Sequence, residues 1–294
     1  MKWPNPKISK KSFTVCVIGW FLFPSTSFEK TGQNDLKRDN LIGKVKIVEE
    51  IDYKAHNEDG VIAMGTVTDK TSTSYNAEGI EVKIVYHNYE IERGKDFGGT
   101  DLFSVNNKGQ KIACAHTRSN GNWTDSSFYD AHGNKIRCIS YNADSSVHYI
   151  TSLQFDKKGR EIENTISYPA KTEIEVSITT EINYDDSKGL IESKSYKTGD
   201  TAHLQGREIE FLNDVGIPIE SRFYNRQGNF AEKSVVTYDG YGNQVSQYVT
   251  DSLGSIMRKQ KWEYEYDKTG NWIKRIFYHS DKPLSITVRK LKYY

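Results

Sequence analysis

The side chains able to do chemistry are scattered through this 294-residue chain rather than gathered. Its seven histidines, at 56, 87, 116, 132, 148, 203 and 279, show no spacing that puts two in one turn or on one helix face. A zinc site needs several ligands converging at short spacing, so each reads as a solvated histidine. Lys197-Thr198-Gly199 matches a fragment of the β-lactamase signature, but no Ser-x-x-Lys begins after residue 27 to supply the nucleophile. Asp130, Asp156, Asp239 and Asp267 occupy repeated acidic turns that raise the question of calcium. Each turn offers one carboxylate, and that group is already useful to its own backbone amides. Glu263 and Glu265 share a strand face, and nothing in the sequence marks either as the raised acid of a glycosidase. No catalytic residue, metal or cofactor is therefore expected. The binding signal that remains is aromatic. Trp123, Trp262 and Trp272 lie in or beside strands, where a ring can stack on a sugar or a partner, or pack in a ladder against the next repeat. Exposure decides between the two.

The elements that carry these residues repeat. An aromatic or aliphatic anchor at Tyr75, Val105, Tyr129, Phe155, Tyr184, Phe211, Tyr238 and Tyr266 is followed by a short turn ending in glycine. The anchors recur about every 27 residues, a period typical of stacked supersecondary units. In Asp/Asn-x-x-Gly the first side chain accepts backbone amides of a type I turn, and the glycine takes the positive φ of a following bulge. The structural turn motif is clearest at Asp130 and Gly133, Asp156 and Gly159, Asp239 and Gly242, and Asp267 and Gly270. Three places past the glycines stand Val82, Ile112, Ile136, Ile162, Glu192, Ile219, Val245 and Ile273. Nearly all are β-branched, as expected of side chains filling one face of a pleated sheet. Trp262-Glu263-Tyr264-Glu265-Tyr266 alternates ring and charge with the period of a strand with one packed and one wet face.

Second turns between these corners make each repeat strand, turn, strand, turn. The expected fold is all-β: an antiparallel meander of roughly 16 to 18 strands, built from tandem β-hairpins and forming one long curled or coiled sheet. His87 to Thr100, with Gly94, Gly98 and Gly99, reads as the one long connection and the mobile loop. Cys114 and Cys138 occupy equivalent places in consecutive repeats. In a flat meander they stand about 9 to 10 Å apart, as free thiols; a disulfide would instead mean that equivalent strands are direct neighbours.

Lys2, Lys7, Lys10 and Lys11 precede an apolar run from Phe13 to Phe23, and no acid comes before Glu29. This is the pattern of a secretory signal, residues 1–27, removed on export. Residues 28–40 read as a polar linker and 41–294 as a single β-repeat domain. Removing 1–27 takes four lysines and leaves 36 basic against 39 acidic residues, with no basic surplus for nucleic acid. No membrane span is expected after signal removal, and strands such as Lys135-Ile136-Arg137-Cys138 carry charge on both faces, unlike a lipid-facing barrel.

The corners at Tyr129, Tyr238 and Tyr266, with Phe155-Asp156 as a looser copy, resemble the Tyr-Asp (YD) repeats of the bacterial RHS family across most of residues 70–290. The style of repeat also resembles small exported proteins of Bacteroides-type bacteria. Several copies here lack the tyrosine or the aspartate, and the repeat is longer than the family's usual one. The resemblance implies an exported, non-enzymatic β array, secreted or at the bacterial cell surface or periplasm. The expected function is a binding or scaffolding surface at the envelope, with a glycan or envelope protein as partner. The alternative is a toxin-associated or enzymatic accessory with its site at the 87–100 loop. A third reading, an envelope component assembling through strand edges, is opposed by terminal charges such as Lys290 and Lys292.

Overall fold

The computed structural model describes residues 34–90, 95–119, 121–169, 176–197 and 200–294; the expected signal, 1–27, lies outside them. A four-residue helix, α1 (Asp35–Arg38), precedes β1 (Val45–Glu58), β2 (Val61–Tyr75), β3 (Glu81–Glu90), β4 (Lys95–Val105), β5 (Lys111–Arg118) and β6 (Trp123–Tyr129). Then come β7 (Lys135–Asn142), β8 (Val147–Phe155), β9 (Glu161–Tyr168), β10 (Val176–Asp185), β11 (Leu190–Lys197) and β12 (Asp200–Leu212). The chain finishes with β13 (Pro218–Tyr224), β14 (Phe230–Tyr238), β15 (Gln244–Asp251), β16 (Ile256–Tyr266), β17 (Trp272–His279) and β18 (Lys282–Tyr293).

At the corner between β6 and β7 the Gly133 amide donates to the Asp130 carbonyl (3.1 Å) and the Asp130 amide to the Asn134 carbonyl (3.0 Å). Asp130 Oδ1 accepts the His132 and Asn134 amides at 2.9 and 2.8 Å. Gly133 stands at φ +88°, a region in which a Cβ crowds the backbone. Asp156, Asp239 and Asp267 accept their own turn amides in the same way.

The aliphatic residues three places past the glycines do not fill a packed face. In β5, Lys111 pairs with Val105 and Ala113 with Ser104, so Ile112 is skipped. Ile136, Ile162, Ile219, Val245 and Ile273 are skipped likewise. Each is the extra residue of a bulge, and Ile112, Ile136, Ile162 and Ile219 are exposed. Glu192, the exception in the sequence, lies on a strand that pairs without a bulge at this corner. Bulges bend the strand and increase its twist, and their repetition supplies the curvature that closes the sheet.

Tyrosine hydroxyls tie one corner to the next. Tyr129 donates to the Lys111 carbonyl (2.8 Å), Tyr184 to Glu161 (2.9 Å), Tyr238 to Pro218 (3.0 Å) and Tyr264 to Gln244 (2.9 Å). Each acceptor lies two places past the preceding glycine, beside the bulge.

The expectation of an open curled or coiled sheet is overturned at the ends. β1 pairs antiparallel with both β2 and β18, and β9 pairs with β10, so the 18 strands close into one barrel. The seam aligns Glu50 with Arg289 and Val48 with Leu291, and ion pairs Arg289–Glu50 (2.7 Å) and Lys292–Glu49 (2.8 Å) cross it. Lys290 and Lys292 therefore belong to a pairing between the first and last strands, and among the described residues no strand edge is left for assembly. The expected long loop is also corrected: His87 pairs with Gly98 and Tyr86 with Gly99, so most of 87–100 is the hairpin of β3 and β4. Cys114 and Cys138 are free thiols on β5 and β7, with β6 between them.

Residues 34–44, mostly within the stretch expected to be a polar linker, are docked on the corner end of the barrel. The Leu36 amide meets the Gly79 carbonyl (3.3 Å), Asn40 Nδ2 the Tyr241 carbonyl (2.9 Å) and the Ile42 amide Asn271 Oδ1 (2.7 Å). Leu36 and Leu41 pack with Val45, Val48, Tyr75 and Leu291 in an apolar cluster. The outer wall carries the exposed pair Lys261–Glu263 in the middle of β16 and the half-exposed pair Lys274–Glu265 nearer the corner, charges that a hydrocarbon-facing strand does not accept.

Candidate functional site

Inside the barrel, the inner faces of β7 to β16 surround a cavity of about 820 Å³, with Arg38 of α1 among its walls. Such a volume lies in the range of small-molecule sites. Its chemistry comes from strand alternation. Glu208 and Glu210 are two apart on β12 and share a face, and both line the cavity. Glu208 lies opposite Phe223 of β13, which lies opposite Glu232 of β14, so one ring stands between two carboxylates. Glu210 lies opposite Ser221, which faces Ser234.

Burial raises the Glu208 carboxyl to about 7, with the charges of Glu210 and Glu232 adding to it and a hydrogen bond with Ser221 opposing. Burial also raises Glu210, and raises Glu161 against the pull of Asn164 and Lys135. Among the described residues no lysine or arginine offsets the charge on Glu208 or Glu210. Arg38 is engaged elsewhere, by Asp35, Asp39 and Glu81 at 2.7–2.9 Å. Asn164 Oδ1, also at the cavity, is buried with no hydrogen-bond partner.

A second polar group fills the barrel near β4 to β6. His116 Nδ1 lies 2.8 Å from Asp101 and Nε2 lies 3.0 Å from Asp125, while Arg118 meets Asp101 at 2.6 Å. Trp123 stacks on the imidazole at 4.6 Å and takes the Arg118 guanidinium on its ring at 4.7 Å. Cys114 Sγ is 3.9 Å from His116 Nδ1, but burial and the charges of Asp101 and Asp125 push its thiol up to about 12. A nucleophile requires the opposite shift. Asp101, Cys114 and His116 offer ligand atoms within 4.8 Å of one another. Arg118 already supplies the positive charge there, so the set reads as an internally paired knot. Sequence spacing did not reveal it, because its members come from three strands.

The other two candidate tryptophans, Trp262 and Trp272, are likewise engaged inside. Trp272 is buried under the Arg289 guanidinium at 3.3 Å, and half-buried Trp262 stacks on Phe277 at 5.3 Å. Asp130, Asp156, Asp239 and Asp267 stand at the corners of one barrel end, each with a carboxylate oxygen bonded to its own turn. The residues that sequence reasoning missed are the inward glutamates. Their signal, Arg207-Glu208-Ile209-Glu210, is a strand alternation whose wet face is the interior.

No family model matches the chain, and no curated protein matches it. Among solved structures, it is similar to a porin-like protein from Bacteroides uniformis at 7% identity, covering 84% of this chain and 96% of that one, with a TM-score of 0.43. It is also similar to the Tc holotoxin pore of Photorhabdus luminescens at 11% identity over 83% of this chain, with a TM-score of 0.21; the match spans only 19% of that chain. A LolA superfamily protein from Nitrosomonas europaea aligns at 10% identity over 88% of this chain and 91% of that one, with a TM-score of 0.17. The RHS resemblance thus rests on the corner motif alone. No helix among the described residues is long and apolar enough to cross a membrane.

Proposed function

We propose that this protein is an exported, non-enzymatic binding barrel of the bacterial envelope whose interior cavity holds a small ligand. The observation that carries the reading is the cavity of about 820 Å³ bounded by β7 to β16 and lined by both rings and carboxylates. A few placed polar groups among apolar ones is the composition of a binding pocket. Export rests on the lysine-led apolar segment at residues 2–23. The cysteine nearest a histidine is held as a neutral thiol, which supports binding over catalysis.

Equilibrium dialysis against a mixed small-molecule library, with mass spectrometry of what is retained, tests the proposal. At least one compound should be retained at one per barrel. Thr180→Trp, which fills the cavity from β10, should abolish its retention with the far-ultraviolet circular dichroism unchanged. Retention of nothing, or equal retention by the variant, would overturn it.

A further inference from the structure

The geometry points to an organic cation, a primary amine or quaternary ammonium, as the ligand of this cavity, held among Glu208, Glu210 and Glu232; this rests on reading the cavity as the binding site. Glu208 is 8% exposed, faces the cavity and has no cationic partner among the described residues. Buried carboxylates are ordinarily paired, because an unpaired one loses its hydration without compensation. Here Glu208 has Glu210 beside it on β12 and Glu232 two strands away, and all three face the same space. The arrangement is electrostatically incomplete, and a positive guest completes it.

Two further features select the kind of cation. Phe223 stands in register between Glu208 and Glu232, and Tyr238 lines the same cavity, its hydroxyl raised by burial and then by the nearby charge of Glu210. Rings beside carboxylates are the surroundings that a substituted ammonium prefers. Asn164 Oδ1, buried and unpartnered at the same cavity, is an acceptor that favours a primary amine over a quaternary ammonium, which has no N–H to donate. A single metal ion fits less well. Among the described residues, the group whose ligand atoms converge for one is Asp101, Cys114 and His116, and none of these lines the cavity walls near Glu208. An anion is disfavoured by the excess of carboxylates: Arg38 is already committed to Asp35, Asp39 and Glu81, Lys135 lies beside Glu161, and Arg258 of β16 stands alone against Glu208, Glu210 and Glu232 on the same walls.

The site also links binding to protons. The groups facing Glu208 from its own and neighbouring strands are Glu210, Glu232 and the Ser221 hydroxyl, so Glu208 titrates near neutrality and a bound cation expels its proton. Affinity rises with pH through about 7, and binding releases protons to the buffer.

Calorimetry with choline and spermidine as probes, beside neutral glucose and anionic citrate, tests the inference at about pH 8 and about pH 5.5. A probe amine should bind saturably, more than tenfold tighter at the higher pH, with an enthalpy that depends on the buffer. Glu208→Gln should weaken it about tenfold at the higher pH and remove most of the pH dependence. Glu232→Gln, with circular dichroism confirming its fold, should weaken it without removing that dependence. If glucose or citrate binds, Thr180→Trp abolishes that binding and the amines are ignored, the cation class falls while the cavity reading stands. If no probe binds and the library screen retains nothing, both fall. Amine binding unchanged in Glu208→Gln would also overturn the assignment.

Discussion

Glu208 shows how one side chain trades stability for a site. Its carboxyl is raised above the ordinary glutamate value to about 7, so the folded state holds a proton that the unfolded state releases above about pH 4.5. Its contribution to stability is therefore most favourable in acid and is lost as pH rises through 7. Glu208→Gln should stabilise the empty barrel by up to ~3 kcal/mol at pH 8, with the gain vanishing near pH 4; urea denaturation at the two pH values reads this directly. The alternation that places Glu208 and Glu210 together was legible in the sequence, but its direction was not. Period two says that 208 and 210 share a face; it does not say which face is inside. In a sheet with a single apolar core, charge points outward. In a barrel with a polar interior that inference reverses. The same reversal turned Trp123 and Trp262 toward ionic and aromatic partners inside the wall.

Corners and strands were far more readable, because their causes are local. An aspartate that accepts amides two and four residues on, closed by a left-handed glycine, is specified within five residues. Gly216 isolates the backbone part of that motif: it stands at φ +82° with nothing within 4 Å of an added Cβ. Gly216→Ala should cost about 1 kcal/mol from conformation alone, measurable as a lowered urea midpoint with unchanged slope. The tyrosine ladder makes a second prediction. Tyr238→Phe keeps the ring but leaves the Pro218 carbonyl beside the bulge without its donor, and should cost about 1 kcal/mol. The bulges themselves were misread as packing positions. An aliphatic residue three places past a glycine looks like a core residue until pairing shows that the partner strand skips it. Only Glu192, where the aliphatic is missing, hinted that the position marks a local backbone feature. The hairpin of β3 and β4 was hidden for a related reason: Gly98 and Gly99 look like loop residues, yet an added Cβ at Gly99 would meet the Tyr86 hydroxyl at 2.5 Å, so glycine serves close packing there.

Closure of the whole molecule was beyond the reach of the sequence. The strands that complete the ring, β1 and β18, lie at opposite ends of the described chain, and nothing near Glu49 announces a partner at Lys290. A meander this long must curl; whether it closes depends on the summed twist of 18 strands and the match of two distant registers. Everything proposed for the interior depends on that closure, since an open ribbon would have no enclosed cavity and its glutamates would face water. Pairing across the seam is therefore the most direct test. With Cys114 and Cys138 replaced by serine, Glu49→Cys and Lys290→Cys place two outward-facing thiols on directly opposed residues of β1 and β18. Mild oxidation should join them nearly completely, seen by mass spectrometry of a tryptic digest as one linked peptide pair. Failure to link, while a control pair at Glu49 and Ser72 across β1 and β2 oxidises normally, would contradict the closed barrel.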